Sequence, residues 1–86
     1  MISNMVEIGE RIKRKREELG HKQQSFAEKI KIDKSSLNRY EKGVQTPSVE
    51  TLVAIANGLE VSLDYLIYGT GDENTARKKD DAEDYI

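Results

Sequence analysis

Lys34, Ser35, Asn38, Arg39 and Lys42 fall at positions i, i+1, i+4, i+5 and i+8, so in a helix they share one side of it. That stripe holds three cations, an amide and a hydroxyl, with no acid and no bulky apolar group. Donors in this arrangement suit a polyanion whose edges carry acceptors. A guanidinium can hold O6 and N7 of guanine through two parallel bonds, and a side-chain amide can do the same with N6 and N7 of adenine. By residue type, Arg39 and Asn38 are candidate readers of base edges, while Lys34, Ser35 and Lys42 can meet bases or phosphates. A plain solvated helix face would carry similar residues, and the stripe alone does not separate the two.

Arg16 poses a different question. It falls on the apolar stripe that Ile8, Ile12 and Leu19 would form along a first helix. A cation there is costly unless it is paired. Glu41, at the end of the helix that carries the donor stripe, is the candidate partner, and such a pair would fix the angle between the two helices. Alternatively, the long stem lies along the apolar surface and its head reaches water.

The residues that catalysis would need are missing. His21 is the only histidine and there is no cysteine, so zinc sites and His- or Cys-dependent nucleophilic chemistry lack their parts. The glycines are scattered without a phosphate-cradling motif, and the acids near the end do not have the spacing of a calcium loop. The expectation is therefore a binding protein with no catalytic residue, metal or cofactor. His21 reads best as a packing residue in the turn before the second helix.

These side chains must be positioned by a small frame. With 86 residues and no disulfide, one small domain must rely on packed secondary structure. Net charge is -2, but its distribution matters more than its total. Residues 1–46 carry 11 Lys/Arg against 7 Asp/Glu, whereas residues 47–86 carry 3 against 9, so the front is basic and the rear acidic. No apolar run approaches the roughly 18 residues of a membrane span. The start, Met1-Ile2-Ser3-Asn4-Met5, has no signal-peptide pattern. A cytoplasmic location, away from any membrane, is expected.

Apolar spacing is helical throughout and strand signals are absent. The first helix should stop near Gly20. A second, over about Gln23–Ile30, turns Phe26, Ala27 and Ile30 inward. Asp33 can cap a third, which buries Leu37 and Tyr40. Ser48 can cap a fourth, whose broad apolar face takes in Val49, Leu52, Val53, Ile55, Ala56 and Leu59. Ser62 can cap a fifth through Leu63, Leu66 and Ile67, ending at Gly69. Two short helices about three residues apart, spanning Gln23 to Glu41, suggest a helix-turn-helix. The expected fold is all-α, with a five-helix domain over residues 1–69 and an acidic, polar tail over 70–86.

At this level the chain resembles the Cro/cI-type, or lambda-repressor-like, helix-turn-helix family. The resemblance rests on Leu19-Gly20, Gln23, Phe26-Ala27-Glu28-Lys29-Ile30, Ser35-Ser36-Leu37, Arg39, Glu41, Gly43 and Pro47-Ser48. It continues through Leu52, Ile55-Ala56, Leu59, Val61-Ser62-Leu63-Asp64 and Leu66, covering about 60 of the 86 residues. It implies that Asp33, Lys34, Ser35, Asn38 and Arg39 face base edges in the major groove. It also implies that Gln23 and Lys42 contact phosphates, that Arg16 and Glu41 form a buried ion pair, and that Ala27 is small because two helices cross there. Three residues depart from the family pattern. Lys22 replaces the usual small polar cap, which leaves its charge available for phosphates. Lys31 and Glu60 each replace a usual glycine. Either these two residues adopt left-handed backbone at a cost of about 1 kcal/mol or more, or the turns differ, with Asn57-Gly58 ending the fourth helix early.

The resemblance implies a regulator, expected here to be a repressor, that binds a double-stranded DNA operator as a homodimer on a near-palindromic site. Leu63, Tyr65, Ile67 and Tyr68 are the dimerisation candidates, because they exceed what the inner face of the fifth helix needs. They would equally well complete the core. The competing expectation is an antitoxin or protein-interaction module that uses the acidic tail to hold a partner protein.

Overall fold

A computed structural model describes residues 5–70 of the chain. Apart from Thr70, the expected tail over 70–86 lies outside the described residues, as do Met1 to Asn4. Five helices follow in order: α1 (Met5–Glu18), α2 (Gln23–Lys29), α3 (Lys34–Lys42), α4 (Val49–Leu59) and α5 (Leu63–Tyr68). There is no strand among the described residues. The helix termini follow local chemistry. Ser48 accepts a bond from the Thr51 N–H and Ser62 one from the Tyr65 N–H, each satisfying an otherwise orphaned donor. Lys22 and Asp33 both hold the extended cap conformation but provide no side-chain bond. For Asp33 this corrects the expected cap.

The core gathers two or three residues from every helix. Ile12, Phe26, Leu37, Ile55, Leu59 and Leu66 are fully buried, with Ile8, Ala27, Tyr40, Ala56, Val61 and Tyr65 around them. Helix α1 lies against α3, α4 and α5, and α2 against α3. Three residues expected inside are not. Leu19 is 38% exposed, because α1 ends at Glu18 and the helical stripe does not extend into the turn. Val49 and Val53, one turn apart, are 73% and 38% exposed, so the apolar face of α4 is broader than the surface its neighbours cover.

The unusual turns also resolve. Among the described residues, Lys31 and Glu60 are the non-glycine residues with positive φ, at 65° and 62°. The left-handed alternative is therefore the one adopted. Helix α4 does not end early: Asn57 and Gly58 are helical, and Gly58 is buried where an added Cβ would lie 3.0 Å from the Phe26 ring and from Ile30. At Lys31 the turn is held by the Ile32 N–H, which donates to the Ala27 carbonyl at 2.9 Å, and at Glu60 the Val61 N–H donates to the Ala56 carbonyl at 3.0 Å. Both are helix-terminal bonds in which the residue between must be left-handed.

Gly9 was not singled out by its sequence context beyond its place within a helical pattern. It is buried at the crossing of α1 with α3. An added Cβ would sit 2.5 Å from the Tyr40 carbonyl oxygen and closer still to that of Glu41. Backbone meets backbone at this point, which sets how near α1 comes to α3.

Candidate nucleic-acid interface

Helix α3 separates its residues by side. Leu37, Tyr40 and Glu41 are buried, whereas Lys34, Ser35, Arg39 and Lys42 are exposed and Asn38 is half-buried. The separation of these sets follows from the 100° rotation per residue, which puts the donor stripe and the core contacts on different sides of α3. The side chains of Lys34, Ser35 and Lys42 make no hydrogen bond or ion pair with the described residues, and all three are exposed. Lys22 and Asp33 are also exposed, at the starts of α2 and α3. No helix among the described residues is long and apolar enough to cross a membrane.

Behind the stripe lies an ion pair. The Arg16 Nε donates to Glu41 Oε2 at 2.6 Å and its Nη2 to Oε1 at 3.1 Å, a two-pronged contact between side chains that are nearly inaccessible. The remaining arm, Nη1, donates to the His21 carbonyl at 2.7 Å. Arg16 thus ties α3 to α1 and to the turn before α2 together. Among the described residues no buried side-chain nitrogen or oxygen lacks a partner, which is the condition under which a buried pair is tolerated. His21 itself is half-buried, its ring 5.5 Å from that of Phe26.

The pair continues outward. Gln23 Nε2 donates to Glu41 Oε1 at 3.0 Å and lies 3.5 Å from Asn38 Oδ1. Because a carboxylate only accepts, the Gln23 amide must turn its NH2 inward, and its oxygen is left facing out. A phosphate oxygen cannot bond to that acceptor. Any side-chain contact from Gln23 to phosphate therefore requires the amide to release Glu41 or Asn38. The sequence pointed to Arg16 and Glu41 but not to Gln23 as their neighbour, since Gln23 on α2 reaches Asn38 and Glu41 of α3 only where the two helices pack.

Arg39 has partners too. Its Nε donates to Gln45 Oε1 at 2.5 Å and its Nη2 to Ser36 Oγ at 3.3 Å. On the far side, α1 supports α5: Arg11 Nη1 donates to the Leu66 and Ile67 carbonyls at 3.0 and 3.2 Å, and Arg14 donates to the Tyr65 hydroxyl. Arg11 thus covers carbonyls that a six-residue helix leaves without intrahelical partners. Of the four residues expected at a dimer interface, Tyr65 is in the core, Leu63 and Ile67 are half-buried against it, and Tyr68 is 49% exposed. The physical reason is that α5 is too short to present two full faces, and its inner one claims Tyr65 and Leu66.

Comparison with known proteins places this arrangement. The profile of a family described as helix-turn-helix matches residues 12–66. The HTH-type transcriptional regulator ImmR of Bacillus subtilis (strain 168) is 32% identical over 75 residues, covering 87% of this chain and 57% of its own length. The chain spans little more than half the length of the curated relatives it matches. Among solved structures, the P22 c2 repressor in complex with a synthetic operator is similar with a TM-score of 0.71 at 28% identity, over 73% of this chain and 96% of that one. SinR, described as the master regulator for biofilm formation and solved in complex with DNA, gives a TM-score of 0.65 at 38% identity, over 69% and 95%.

Proposed function

Since this chain belongs to the Cro/cI-type helix-turn-helix family of transcriptional regulators, we propose that it binds a specific double-stranded DNA operator and represses transcription there. The observation that carries this reading is the division of α3: core contacts and the buried Glu41 on one side, an acid-free stripe of exposed donors on the other. Helix α3 enters the major groove. Arg39 and Asn38 read base edges, with Asp33, Lys34 and Ser35 facing the same groove. Lys22 and Lys42, at either end of the motif, contact phosphates. Gln23 joins them once its amide turns outward. Phosphate contacts fix register and base contacts confer preference.

A homodimer is part of the proposal, because one module of this size buries too little DNA surface for tight binding alone. Two copies related by a two-fold axis place their α3 helices in successive major grooves of a near-palindromic site. Tyr68, with the outer parts of Leu63 and Ile67, is the candidate contact. Occupying a promoter in this way is sufficient for repression.

Selection of bound sequences from random DNA yields the operator and is the direct test. On that operator, Arg39→Ala should cost about 1–3 kcal/mol and relax preference at one base position. Lys42→Ala should weaken all sequences alike and reduce the salt slope by about one phosphate contact. Equal losses on operator and random DNA for both variants would contradict the assignment.

A further inference from the structure

We propose that Gln45, which lies outside the helix-turn-helix, is a positioning residue that sets the base preference of Arg39. The inference rests on the reading of Arg39 given above. The backbone brings the two residues together. At the end of α3, Gly43 adopts φ 77°, its N–H donates to the Tyr40 carbonyl, and the Val44 N–H donates to the carbonyl of Arg39 itself. This 6→1 and 5→2 pair reverses the chain, so the residue after Val44 runs back beside Arg39. The turn is held in place: an added Cβ on Gly43 would lie 2.6 Å from the Val6 Cα, and Pro47, two residues beyond Gln45, is buried.

The side-chain bonds then divide the guanidinium. Its five hydrogens are arranged in a rigid plane. Gln45 Oε1 takes the one on Nε, and Ser36 Oγ takes one on Nη2. Both hydrogens of Nη1 and the second of Nη2 remain. A bidentate contact with guanine O6 and N7 needs one hydrogen from each terminal nitrogen, and each terminal nitrogen keeps at least one. An exposed arginine otherwise samples many rotamers, and ordering it on binding opposes affinity. Gln45 restricts that freedom beforehand through Nε, and with Ser36 it leaves hydrogens on both terminal nitrogens.

The test uses the full chain and the selected operator, with every base position permuted. Gln45→Ala should relax preference at the position that Arg39→Ala relaxes, by about two- to tenfold, as expected for one lost ordering hydrogen bond. In the double variant the effect of Gln45→Ala should vanish. Gln45→Glu keeps the acceptor, so it should retain the preference while weakening all sequences alike through its added charge. Melting temperatures of these surface variants should match that of the parent. The proposal is overturned if Gln45→Ala tightens operator binding, since Gln45 would then compete with the base. It is also overturned if the losses multiply in the double variant, or if Gln45→Ala lowers all sequences uniformly. If Arg39→Ala relaxes no position, it is the base reading by Arg39 that fails, a result distinct from the others.

Discussion

Glu41 serves two interactions with one carboxylate. Its Oε2 takes the Nε of Arg16, and its Oε1 is shared between Arg16 and Gln23. Only 6% of either charged residue is accessible, so neither charge can turn to water without the helices separating. Glu41→Ala should therefore destabilise the fold by about 3–5 kcal/mol, because it leaves the Arg16 guanidinium buried with the His21 carbonyl as its main partner. Chemical denaturation measures this loss. Replacing both members with apolar residues of similar volume should recover much of it, since buried pairs often add little over good packing. A single variant as stable as the parent would mean that Arg16 reaches solvent. By contrast, Arg39 and Lys42 are exposed, and substitutions there should alter DNA binding while leaving stability near the parent value.

At the scale of elements, the angle between α1 and α3 is set where backbone touches backbone. Gly9→Ala gains up to about 1 kcal/mol of helix propensity, since alanine is the better helix former. The added Cβ, however, would lie within 3 Å of the Tyr40 and Glu41 carbonyl groups, which cannot yield as a side-chain tip can. Overpacking at such a site costs about 1–3 kcal/mol, so the net effect should be a lower denaturation midpoint. A raised midpoint would show that α1 can move away from α3 freely. Elements also differ in what holds them. Helices α4 and α5 both begin at a capping serine, but α5 has only six residues and relies on Arg11 from α1 to satisfy its terminal carbonyls. The left-handed residues Lys31 and Glu60 are tolerated because each lies between helix-terminal bonds that only that conformation can close.

For the molecule as a whole, a net charge of -2 conceals a basic first half. Four of its exposed cations, Lys22, Lys34, Arg39 and Lys42, lie around one motif, and screening beyond about 8–10 Å makes the local field there the one DNA meets. Proposed dimerisation adds a geometric requirement. Half-sites should lie about one helical turn apart, roughly 10 bp. Inserting about half a turn between them should reduce affinity towards that of an isolated half-site, since the second α3 would face the wrong side of the duplex. Electrophoretic mobility shifts on spaced operators measure this. Affinity insensitive to the spacing would indicate that one protomer binds alone.

Local chemistry made the helix count, the termini at Gly20, Ser48, Ser62 and Gly69, and the donor stripe on α3 legible from residue order, because each depends on neighbours within a turn or two. Tertiary structure decided the rest. Leu19 and Val49 are apolar yet exposed, since periodicity says which side a residue is on but not how far the neighbouring helices extend. Whether Arg16 paired or reached water was open in the sequence, and the crossing of α1 with α3 settles it at 2.6 Å from Glu41. The same crossing turns the Gln23 amide inward, and the reversal at Gly43 brings Gln45 to Arg39. Residue types and spacing specify which groups can meet a base. Their orientation is a property of contacts between residues far apart in the chain, and those exist only once the helices have packed.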